Sequence, residues 1–412
     1  MNISRLRCET PPESLWKAPS HNRLSESTAH CKADRSKVKM ILTLCTACAA
    51  PLPDEPDDAV RCAACETRYC SDRCLRYHAH RGGHDDECEE IANGGGAEQH
   101  HANKKYEEAV ADAVEECAED TEGQTCFICM DGEAEEGLVR GCSCRGASGF
   151  AHVSCLAEQA KILVAEAEER ELDDDAFNAR WLRWYTCRLC EQKYHGDVKC
   201  ALGWACWKTY VGRPEADWAR RVAMSVLGNG LDAVGHNSDA LVVQEAELAM
   251  LRRIGGSEND ILATQNNIAN TYQSLGQSEQ ALQLKQNVYS GMLELKGEES
   301  RNTILAANNY ANGLLTLERY AEAKSLLRKM IPLARRVLGD SDALNFRMRK
   351  IFAITLYEPP DATRGDLREA VAELEDLEPT ARRMLGGAHP LVVAIERNLD
   401  ESRETFYARG LP

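Results

Sequence analysis

The chain has 412 residues, of which 43% are apolar and only 6% aromatic, and its formal net charge is −17 at pH 7. This length predicts more than one domain. The charge argues against a general nucleic-acid surface, because phosphate contacts require clustered lysine and arginine. No apolar stretch reaches the roughly 20 residues that a bilayer span needs, so we expect neither a nucleic-acid nor a membrane partner.

The 19 cysteines are concentrated between residues 45 and 190, mainly as C-x-x-C or C-x-C pairs. The first residues contain no apolar secretory segment. We therefore expect a reducing compartment, the cytoplasm or also the nucleus. In such a compartment clustered cysteines are more often metal ligands than disulfides.

Composition and periodicity divide the chain into consecutive segments with different expected structures. In chain order, these are 1–44, a polar tail expected to be disordered; 45–88, dense in Cys and His; 89–122, an acidic, partly helical linker; 123–200, a second Cys/His segment; 201–218, a linker; and 219–412, amphipathic helices.

The first cysteine-rich segment contains eight ligand-type residues. Their order is Cys45-x2-Cys48-x13-Cys62-x2-Cys65-x4-Cys70-x3-Cys74-x9-His84-x3-Cys88. Eight thiolate or imidazole ligands fit two tetrahedral zinc sites. So short a segment has little apolar core, so metal binding must supply most of its folding free energy. His78 and His80 compete for the imidazole role, and the spacing before the last cysteine favours His84.

This spacing resembles that of a MYND zinc finger across the whole segment. The resemblance implies two interleaved sites, one formed by Cys45, Cys48, Cys70 and Cys74 and the other by Cys62, Cys65, His84 and Cys88. It also implies a protein-binding module, often for proline-rich peptides. The alternative is a purely structural knuckle.

The second cysteine-rich segment carries four cysteines, one histidine and three further cysteines. Their order is Cys126-x2-Cys129-x12-Cys142-x1-Cys144-x7-His152-x2-Cys155-x31-Cys187-x2-Cys190. RING-CH and PHD zinc fingers share this order. The one-residue C-x-C gap and the seven-residue spacer before the histidine favour RING-CH and leave PHD as the alternative.

The RING-CH resemblance implies a cross-brace. One zinc would be bound by Cys126, Cys129, His152 and Cys155, and the other by Cys142, Cys144, Cys187 and Cys190. Sites with four protein ligands are structural, so we expect no catalytic residue. The implied activity is ubiquitin transfer without a covalent ligase intermediate, in which the finger holds a charged conjugating enzyme in position.

The resemblance implies that Ile128, between the first two ligands, contacts the conjugating enzyme, with Trp184 or Trp181 completing the apolar patch. The alternative for these tryptophans is packing in a small core. Two positions depart from the family pattern. Gln159 stands where many RING-CH fingers have tryptophan, and Glu191 follows the last ligand, where many active RING fingers have a basic residue.

The last segment contains a repeat with an offset of 42 residues. Asn267 matches Asn309, and Asn270 matches Asn312, while a glycine ends each unit near this spacing, at Gly255, Gly297, Gly339 and Gly386. Each unit reads as two helices that must stack on neighbours to bury their apolar faces. An incomplete unit at about 219–256 precedes the repeats, and a partial unit follows. The alternative is an ordinary helical bundle.

These repeats resemble tetratricopeptide repeats of the kinesin-light-chain type. The resemblance implies a superhelical solenoid with a concave peptide-binding groove, in which Asn267, Asn270, Asn309 and Asn312 would bond an extended peptide. The alternative for these asparagines is hydrogen bonding between units.

The sequence therefore predicts a multidomain chain, with two small zinc-stabilised α+β modules followed by an all-α, TPR-like superhelical solenoid. We expect a soluble, zinc-dependent E3 ubiquitin-protein ligase with four zinc ions. The RING-CH module would recruit the ubiquitin-conjugating enzyme, while the MYND and TPR modules bind substrate or partner proteins. The alternative is a non-enzymatic zinc-finger and TPR scaffold. A chromatin regulator is disfavoured by the charge and by the histidine spacing.

Overall fold

The computed structural model describes residues 45–50, 52, 59–132 and 135–409, so the predicted tail over 1–44 lies outside the described residues. The described part is mainly helical and contains one small antiparallel sheet. In this sheet β1 (Val60–Arg61) pairs with β2 (Arg68–Tyr69), and Val60 lies opposite Tyr69.

The helices of the described part are, in chain order, α1 (Asp72–Arg81), α2 (His84–Asn93), α3 (Ala97–Thr121), α4 (Val153–Glu169), α5 (Asp174–Trp181), a 3-10 helix (Leu182–Trp184), α6 (Gly196–Tyr210), α7 (Trp218–Ala233), α8 (Asn237–Arg253), α9 (Glu258–Ser274), α10 (Ser278–Lys296), α11 (Arg301–Thr316), α12 (Tyr320–Leu338), α13 (Ala343–Tyr357), α14 (Arg364–Leu385) and α15 (Pro390–Arg409). None of them is both long enough and apolar enough to cross a membrane.

The first cysteine-rich segment folds as the small sheet followed by two short helices. The hydroxyl of Ser71 caps α1 by accepting a hydrogen bond from the Cys74 N–H at 3.4 Å. Gly83, with φ +82°, separates α1 from α2 and makes His84 the first residue of α2. Beside its cysteines, this segment buries little apolar surface, chiefly Leu52 and Tyr69.

The stretch 89–122 is more ordered than the partly helical linker predicted for it. Helix α3 covers most of it and buries Ala102, Ala109 and Ala113. These alanines recur at helical spacing and form one small-residue face, and α3 packs on α6. The acidic residues lie on the opposite, solvated side, which explains why composition suggested a linker.

The prediction of a linker over 201–218 is wrong for most of its length. Helix α6 runs to Tyr210, is buried along almost all of its last ten residues, and contacts α3, α4 and α7. A methyl group on Gly203 would lie 3.1 Å from Leu227 Cα, which shows how closely α6 and α7 approach. A helix that is apolar on all sides has no amphipathic period, so periodicity offers no helical signal for this stretch.

Helices α7 to α15 form the predicted solenoid of antiparallel helix pairs. Each helix packs on the next, and the first helices of successive units (α7, α9, α11, α13 and α15) also contact one another. The first helices therefore form the inner layer of a superhelix, which confirms the TPR-like fold class. The unit at 219–256, predicted to be incomplete, is a full pair, α7 and α8.

The glycine that ends each unit has a left-handed backbone. The φ values are +67° at Gly255, +76° at Gly297, +85° at Gly339 and +90° at Gly386. A side chain disfavours this conformation, whereas glycine adopts it readily after a helix. The repeated glycine therefore marks the point where each second helix stops and the chain turns into the next unit.

A single hydrophobic core joins the second cysteine-rich segment to the start of the solenoid. It runs from α3 through Phe150, Trp181 and Trp184 to Trp207 on α6, and then to α7 and α8. The second cysteine-rich segment thus packs on the helices and shares their hydrophobic core.

Candidate metal centres and partner-binding surfaces

Four clusters of cysteine and histidine side chains have a geometry that could hold metal ions. In each, the four ligand atoms lie within 4.8 Å of one another. The clusters are Cys45, Cys48, Cys70 and Cys74; Cys62, Cys65, His84 and Cys88; Cys126, Cys129, His152 and Cys155; and Cys142, Cys144, Cys187 and Cys190. These are the same four sets that the MYND and RING-CH resemblances imply, with both pairs of sites interleaved along the chain.

The sulfur–sulfur distances fit a tetrahedral ion. They are 3.6 Å for Cys70 to both Cys48 and Cys74, 3.6 Å for Cys62 to Cys88, and 3.8 Å for Cys144 to Cys187. A tetrahedral zinc with Zn–S bonds of about 2.3 Å separates its sulfurs by about 3.8 Å. A disulfide needs about 2.05 Å, and the described cysteines are all free.

The two histidines each turn one ring nitrogen into their cluster. His84 Nε2 lies 3.5 Å from Cys65 Sγ, and His152 Nδ1 lies 3.4 Å from Cys129 Sγ and 3.6 Å from Cys155 Sγ. Zn–N bonds of about 2.0–2.1 Å predict sulfur–nitrogen separations of about 3.5 Å. Both rings are buried, at 2% exposure each.

The competing histidines of the first segment have other surroundings. His78 Nδ1 is 2.9 Å from the Tyr69 hydroxyl, and its ring stacks on that of His84 with centroids 5.2 Å apart. His80 is exposed. His84 is therefore the histidine that the fold places beside the cysteines, and the His78 ring stacks on the His84 ring.

The four C-x-x-C pairs fold into the same knuckle. In the third, the Cys126 N–H donates to Asp131 O and the Met130 N–H to Cys126 O, both at 2.9 Å. The residue after the second cysteine has a positive φ in every knuckle, namely Ala49 (+58°), Glu66 (+61°), Met130 (+63°) and Glu191 (+57°). Among the described residues, these are four of the six non-glycine residues with positive φ. Backbone strain is thus concentrated at the ligand loops, as is typical of functional sites.

Electrostatics in the clusters favour a bound cation. Burial, followed by the thiols of Cys129 and Cys126, raises the pKa of Cys155 to about 12. Burial and the thiols of Cys62 and Cys65 likewise raise the pKa of Cys88 to about 12. A divalent cation reverses this effect, because it stabilises the thiolates that otherwise repel one another. The donor set, the distances and the charges therefore fit a zinc ion.

The two residues predicted to contact a conjugating enzyme differ in accessibility. Ile128 is partly exposed between Cys126 and Cys129, and its N–H donates to Cys126 Sγ at 3.4 Å. Trp184 has 0% exposure and packs edge-on to Tyr210, with centroids 5.8 Å apart. The prediction that Trp184 contacts a partner is wrong, and the alternative of core packing describes both Trp181 and Trp184.

Two exposed apolar residues at the knuckles were missed by the sequence analysis. Leu189 is 50% exposed and Met130 is 74% exposed. Leu189 lies between Cys187 and Cys190 in the position that Ile128 has in its own knuckle, so the repeated C-x-x-C pattern was the available signal. Ile128, Met130 and Leu189 are thus apolar side chains at the knuckles that solvent can reach.

The asparagines of the repeats lie at the inner layer of the solenoid. A cavity of about 560 Å³ is lined by Asn270, Asn309 and Asn312, together with Asn308, which the sequence analysis did not select. Asn267, also predicted for the groove, is not among the lining residues. The amide of Asn309 donates to Asn266 Oδ1 at 3.0 Å, so hydrogen bonding between units, the alternative interpretation, is also present.

Comparison with known families agrees with this geometry. The RING-variant domain matches residues 126–169, and the tetratricopeptide repeat matches residues 260–336. The first match covers six of the eight ligands and ends before Cys187. It supports the RING-variant class over the PHD alternative, and the second match confirms the TPR resemblance. No curated protein matches the chain.

Several solved structures resemble the helical part at low identity. One is a crystal structure of nearly identical TPR-like repeats, described as a putative kinesin light chain of Podosopora anserina. It has 19% identity and a TM-score of 0.39, and covers 48% of this chain and 90% of that one. A point variant of the same protein matches with the same identity and TM-score, over 46% and 88%. BtubC (BKLC) from P. vanneervenii has 15% identity and a TM-score of 0.34, over 63% and 92%.

Proposed function

We propose that the protein is a zinc-dependent E3 ubiquitin ligase of the RING-variant class. The supporting observation is the RING-variant match together with two interleaved four-ligand clusters of tetrahedral dimensions. Four zinc ions per chain would each have four protein ligands and no open position, so their role is structural. Catalysis would then consist of holding the conjugating enzyme's thioester in a reactive orientation.

The conjugating enzyme would bind at the apolar surface formed by the knuckles. Ile128 and Leu189 are the central contacts, because each lies at the tip of a C-x-x-C loop whose cysteines fix the backbone. Met130 adjoins the first of these loops and is largely exposed. Apolar side chains held on a rigid loop lose little conformational entropy on binding, which suits a transient enzyme partner.

The remaining modules would select the substrate. We assign partner binding to the MYND-type finger at 45–88 and to the repeats at 219–412, with the RING-variant module at 123–200 between them. The interleaved ligand sets of the first segment support the MYND assignment. The polar cavity on the inner helices supports peptide binding by the repeats. A reducing compartment, the cytoplasm or nucleus, suits so many free thiols.

A non-enzymatic scaffold is the second candidate, and Glu191 is the observation that favours it. This acidic residue is exposed and directly follows the last ligand of the RING-variant module. A carboxylate at this place offers no donor to a carbonyl or carboxylate of an incoming ubiquitin. The scaffold would use the same modules to join partners without transferring ubiquitin.

The two candidates are separated by ubiquitin discharge from a panel of charged conjugating enzymes to free lysine. The ligase proposal predicts accelerated discharge by the wild type, loss of activity in Cys142→Ser, and at least a tenfold loss in Ile128→Ala, on the scale of an interface hot spot. Ile162→Ala is the matched control, because Ile162 is 49% exposed on α4, outside the knuckles. Failure of the wild type with every enzyme would leave the scaffold as the function.

Metal content tests the zinc sites separately. Elemental analysis of the purified full chain should approach four zinc ions per molecule. Two ions or fewer would show that at least two of the four clusters hold no zinc, even if the protein remained folded.

A further inference from the structure

A cavity of about 460 Å³ lies where the first cysteine-rich segment meets the start of the solenoid. Its walls come from the small sheet, from the first turn of α3 and from α7 and α8 at the beginning of the solenoid. It shares no lining residue with the asparagine-lined cavity of the inner helices. The cavity is therefore a separate site, and a ligand in it would contact the first segment and the solenoid together.

Hydrogen bonds between distant parts of the chain hold the walls of this cavity in place. The Ala97 N–H, at the start of α3, donates to the carbonyl of Cys65 in the first segment at 3.0 Å. The side-chain amide of Gln99 donates to the Lys208 carbonyl on α6, also at 3.0 Å. The lining groups are thus positioned before a ligand arrives, which lowers the entropy cost of binding.

Positive charge exceeds negative charge on the cavity wall. The lining arginines are Arg61, Arg68, Arg220 and Arg253, and the lining glutamates are Glu66, Glu98 and Glu215. The Glu215 carboxylate lies 2.7 Å from the Arg253 guanidinium. The Glu98 carboxylate lies 3.3 Å from the Arg220 guanidinium. In a chain of net charge −17, the remaining positive charge makes this cavity a place where an anion is attracted.

Arg68 on β2 has no hydrogen-bond partner for its side chain in the described part of the chain, and its Nε is buried. Glu98 and Glu215 attract it only from beyond ion-pair distance. The Nε of Arg220 on α7 is also buried without an acceptor among the described residues, although its terminal nitrogens contact Glu98 and the Arg213 carbonyl. Buried donors on a charged group are costly when no acceptor pairs with them. Both guanidinium groups therefore call for a further acceptor.

The first turn of α3 adds further donors to the cavity. Gly96, which precedes the helix, provides no side-chain cap, and the first N–H groups of a helix have no acceptor within it. Glu98 and Gln99 of this turn line the cavity. The aligned peptide dipoles of this 25-residue helix place partial positive charge at its start, where an anion is stabilised. The helix end thus favours the same kind of ligand as the two arginines.

A phosphate monoester matches these donors better than a single carboxylate does. It carries close to two negative charges at pH 7 and three acceptor oxygens, and the forked guanidinium of arginine binds such oxygens in pairs. The lining glutamates already offer single carboxylates within the cavity, and none of them forms an ion pair with Arg68. A ligand that occupies this site must therefore offer more charge and more acceptors than one carboxylate.

We propose that this cavity binds a phosphate monoester, held by Arg68 from the first segment, by Arg220 from the solenoid and by the first turn of α3. The phosphate belongs either to a phosphoserine of a partner protein or to a small soluble phosphate compound, and separate probes distinguish these two sources. The inference goes beyond the proposed ligase function, because the cavity involves neither the RING-variant knuckles nor the inner face of the repeats.

The test uses the full, zinc-loaded chain and two kinds of probe. The first is a pool of N-acetylated, fluorescein-labelled octapeptides with phosphoserine at the fourth position and random residues elsewhere, compared by fluorescence anisotropy with a pool carrying serine there. The phosphoserine pool should bind at least tenfold more tightly, on the scale of one charge-assisted hydrogen bond. The second probe is inositol hexakisphosphate, titrated by calorimetry. Binding of this compound without a preference for phosphoserine would assign the site to a soluble phosphate.

Arg68→Gln and Arg220→Gln should each weaken binding of the phosphate probe at least tenfold. The matched control is Arg76→Gln, which removes an equal charge from an exposed arginine of α1 outside the cavity and should leave binding unchanged. Zinc content is measured for every variant, because Arg68 lies close in sequence to the ligand Cys70. Arg220 lies outside the cysteine-rich segments, so its variant tests the site even if Arg68→Gln loses zinc.

Two results would overturn the proposal. One is equal binding of the two peptide pools together with no calorimetric binding of inositol hexakisphosphate. The other is phosphate binding that survives Arg220→Gln and a zinc-loaded Arg68→Gln, or that Arg76→Gln weakens as much as they do, since the phosphate would then bind elsewhere on the surface. Ubiquitin discharge does not enter these measurements, so either result leaves the ligase proposal to its own test.

Discussion

The two cysteine-rich segments have the same number of ligands but very different interiors. Residues 45–88 bury only a small apolar cluster around Tyr69 beside their cysteines. The segment that begins at Cys126 shares a continuous core with α3 to α8, in which Trp181, Trp184 and Trp207 are all at most 2% exposed. Metal binding therefore contributes a larger share of the stability of the first segment, and hydrophobic burial contributes a larger share of the stability of the second.

This difference follows from size and from what each segment packs against. A short chain buries too small a fraction of its surface to offset its conformational entropy, so a metal or disulfide must add to its stability. Among the described residues, Ala97 is the apolar side chain from outside the first segment that joins its small hydrophobic cluster. The second lies on α6, whose helix is already held between α3 and α7. We infer that metal maintains the whole first segment but mainly the ligand loops of the second.

The largest expected effect is that of metal removal. Chelation should cancel an apparent binding free energy of about 10–16 kcal/mol per structural zinc. Hydrogen exchange read by mass spectrometry should then show loss of protection throughout 45–88. In the second segment the loss should be confined to the loops at 126–152 and 185–195, with α6 still protected.

The repeats provide an internal reference for that experiment, because α9 to α14 contain no cysteine. Their protection should be the same before and after chelation. Equal loss of protection in both cysteine-rich segments, including α6, would show that the shared core does not hold the second segment.

Truncation of the shared core should have the next largest effect. Trp184→Ala removes a fully buried indole that packs against Trp181 and Tyr210, and should lower the free energy of unfolding by about 3–5 kcal/mol. Leu182→Ala is the matched control from the same short helix. Leu182 is 36% exposed, so its truncation should change stability by about 0.5 kcal/mol or less. Urea denaturation of zinc-loaded protein, followed by circular dichroism, measures both. Similar midpoints for the two variants would contradict the shared core.

The ligand sets could be predicted from sequence, whereas the core that supports the second finger could not. Thiol and imidazole spacing is a local property, and the order of eight ligands defines which of them pair. Burial depends on contacts with residues that are distant in the sequence. Trp184 was predicted to be at the surface because it lies just before Cys187, but it is buried against Tyr210 on α6. Helix α6 is apolar on all sides, so hydrophobic periodicity does not reveal it.

The asparagines of the repeats also show that sequence predicts local positions better than it predicts their surroundings in the fold. The offset of 42 residues placed Asn267 and Asn309 at equivalent positions, and helical periodicity placed both on the first helix of a unit. The cavity is formed by the first helices of five successive units, and it takes in Asn308 and Asn309 but not Asn267, the equivalent of Asn309 in the preceding unit. Curvature depends on contacts among five helices, which no single repeat encodes.

A titration effect distinguishes the solenoid from the metal-dependent segments. Glu247 on α8 is 3% exposed, and burial raises its pKa to about 7 from the usual 4.5. The folded state holds this proton more tightly than the unfolded state, so stability falls as pH rises from about 4.5 to 7 and is constant above. Glu247→Gln should therefore be more stable than the wild type at pH 8, by about 3 kcal/mol, and this advantage should shrink towards pH 5.

The comparison is made between urea midpoints of Glu247→Gln and wild type at each pH, so that the pH dependence of the metal sites cancels. Glu245→Gln is the control, because this neighbour on α8 is exposed. This control measures how much of the change in stability comes from removing a carboxylate from the surface of α8. A constant difference for Glu247→Gln would show that Glu247 is ionised in the folded protein.

The smallest expected effect comes from relieving the same backbone strain at one position beside a metal cluster and at one position in the repeats. Glu191 follows the last metal ligand with φ +57°, and Glu318 follows α11 in the metal-free repeats with φ +56°. A left-handed conformation costs a residue with a side chain about 1–2 kcal/mol, and glycine at either position removes this cost. Glycine also loses more conformational entropy on folding, which offsets part of the gain. Each substitution should therefore add about 0.5–1 kcal/mol to the stability of its own region. Glu191→Gly should also slow zinc loss to a chromogenic chelator, because the relaxed knuckle holds Cys187 and Cys190 in place, whereas Glu318→Gly should leave that rate unchanged. If both variants changed zinc loss equally, the knuckle strain would have no specific connection with the metal site.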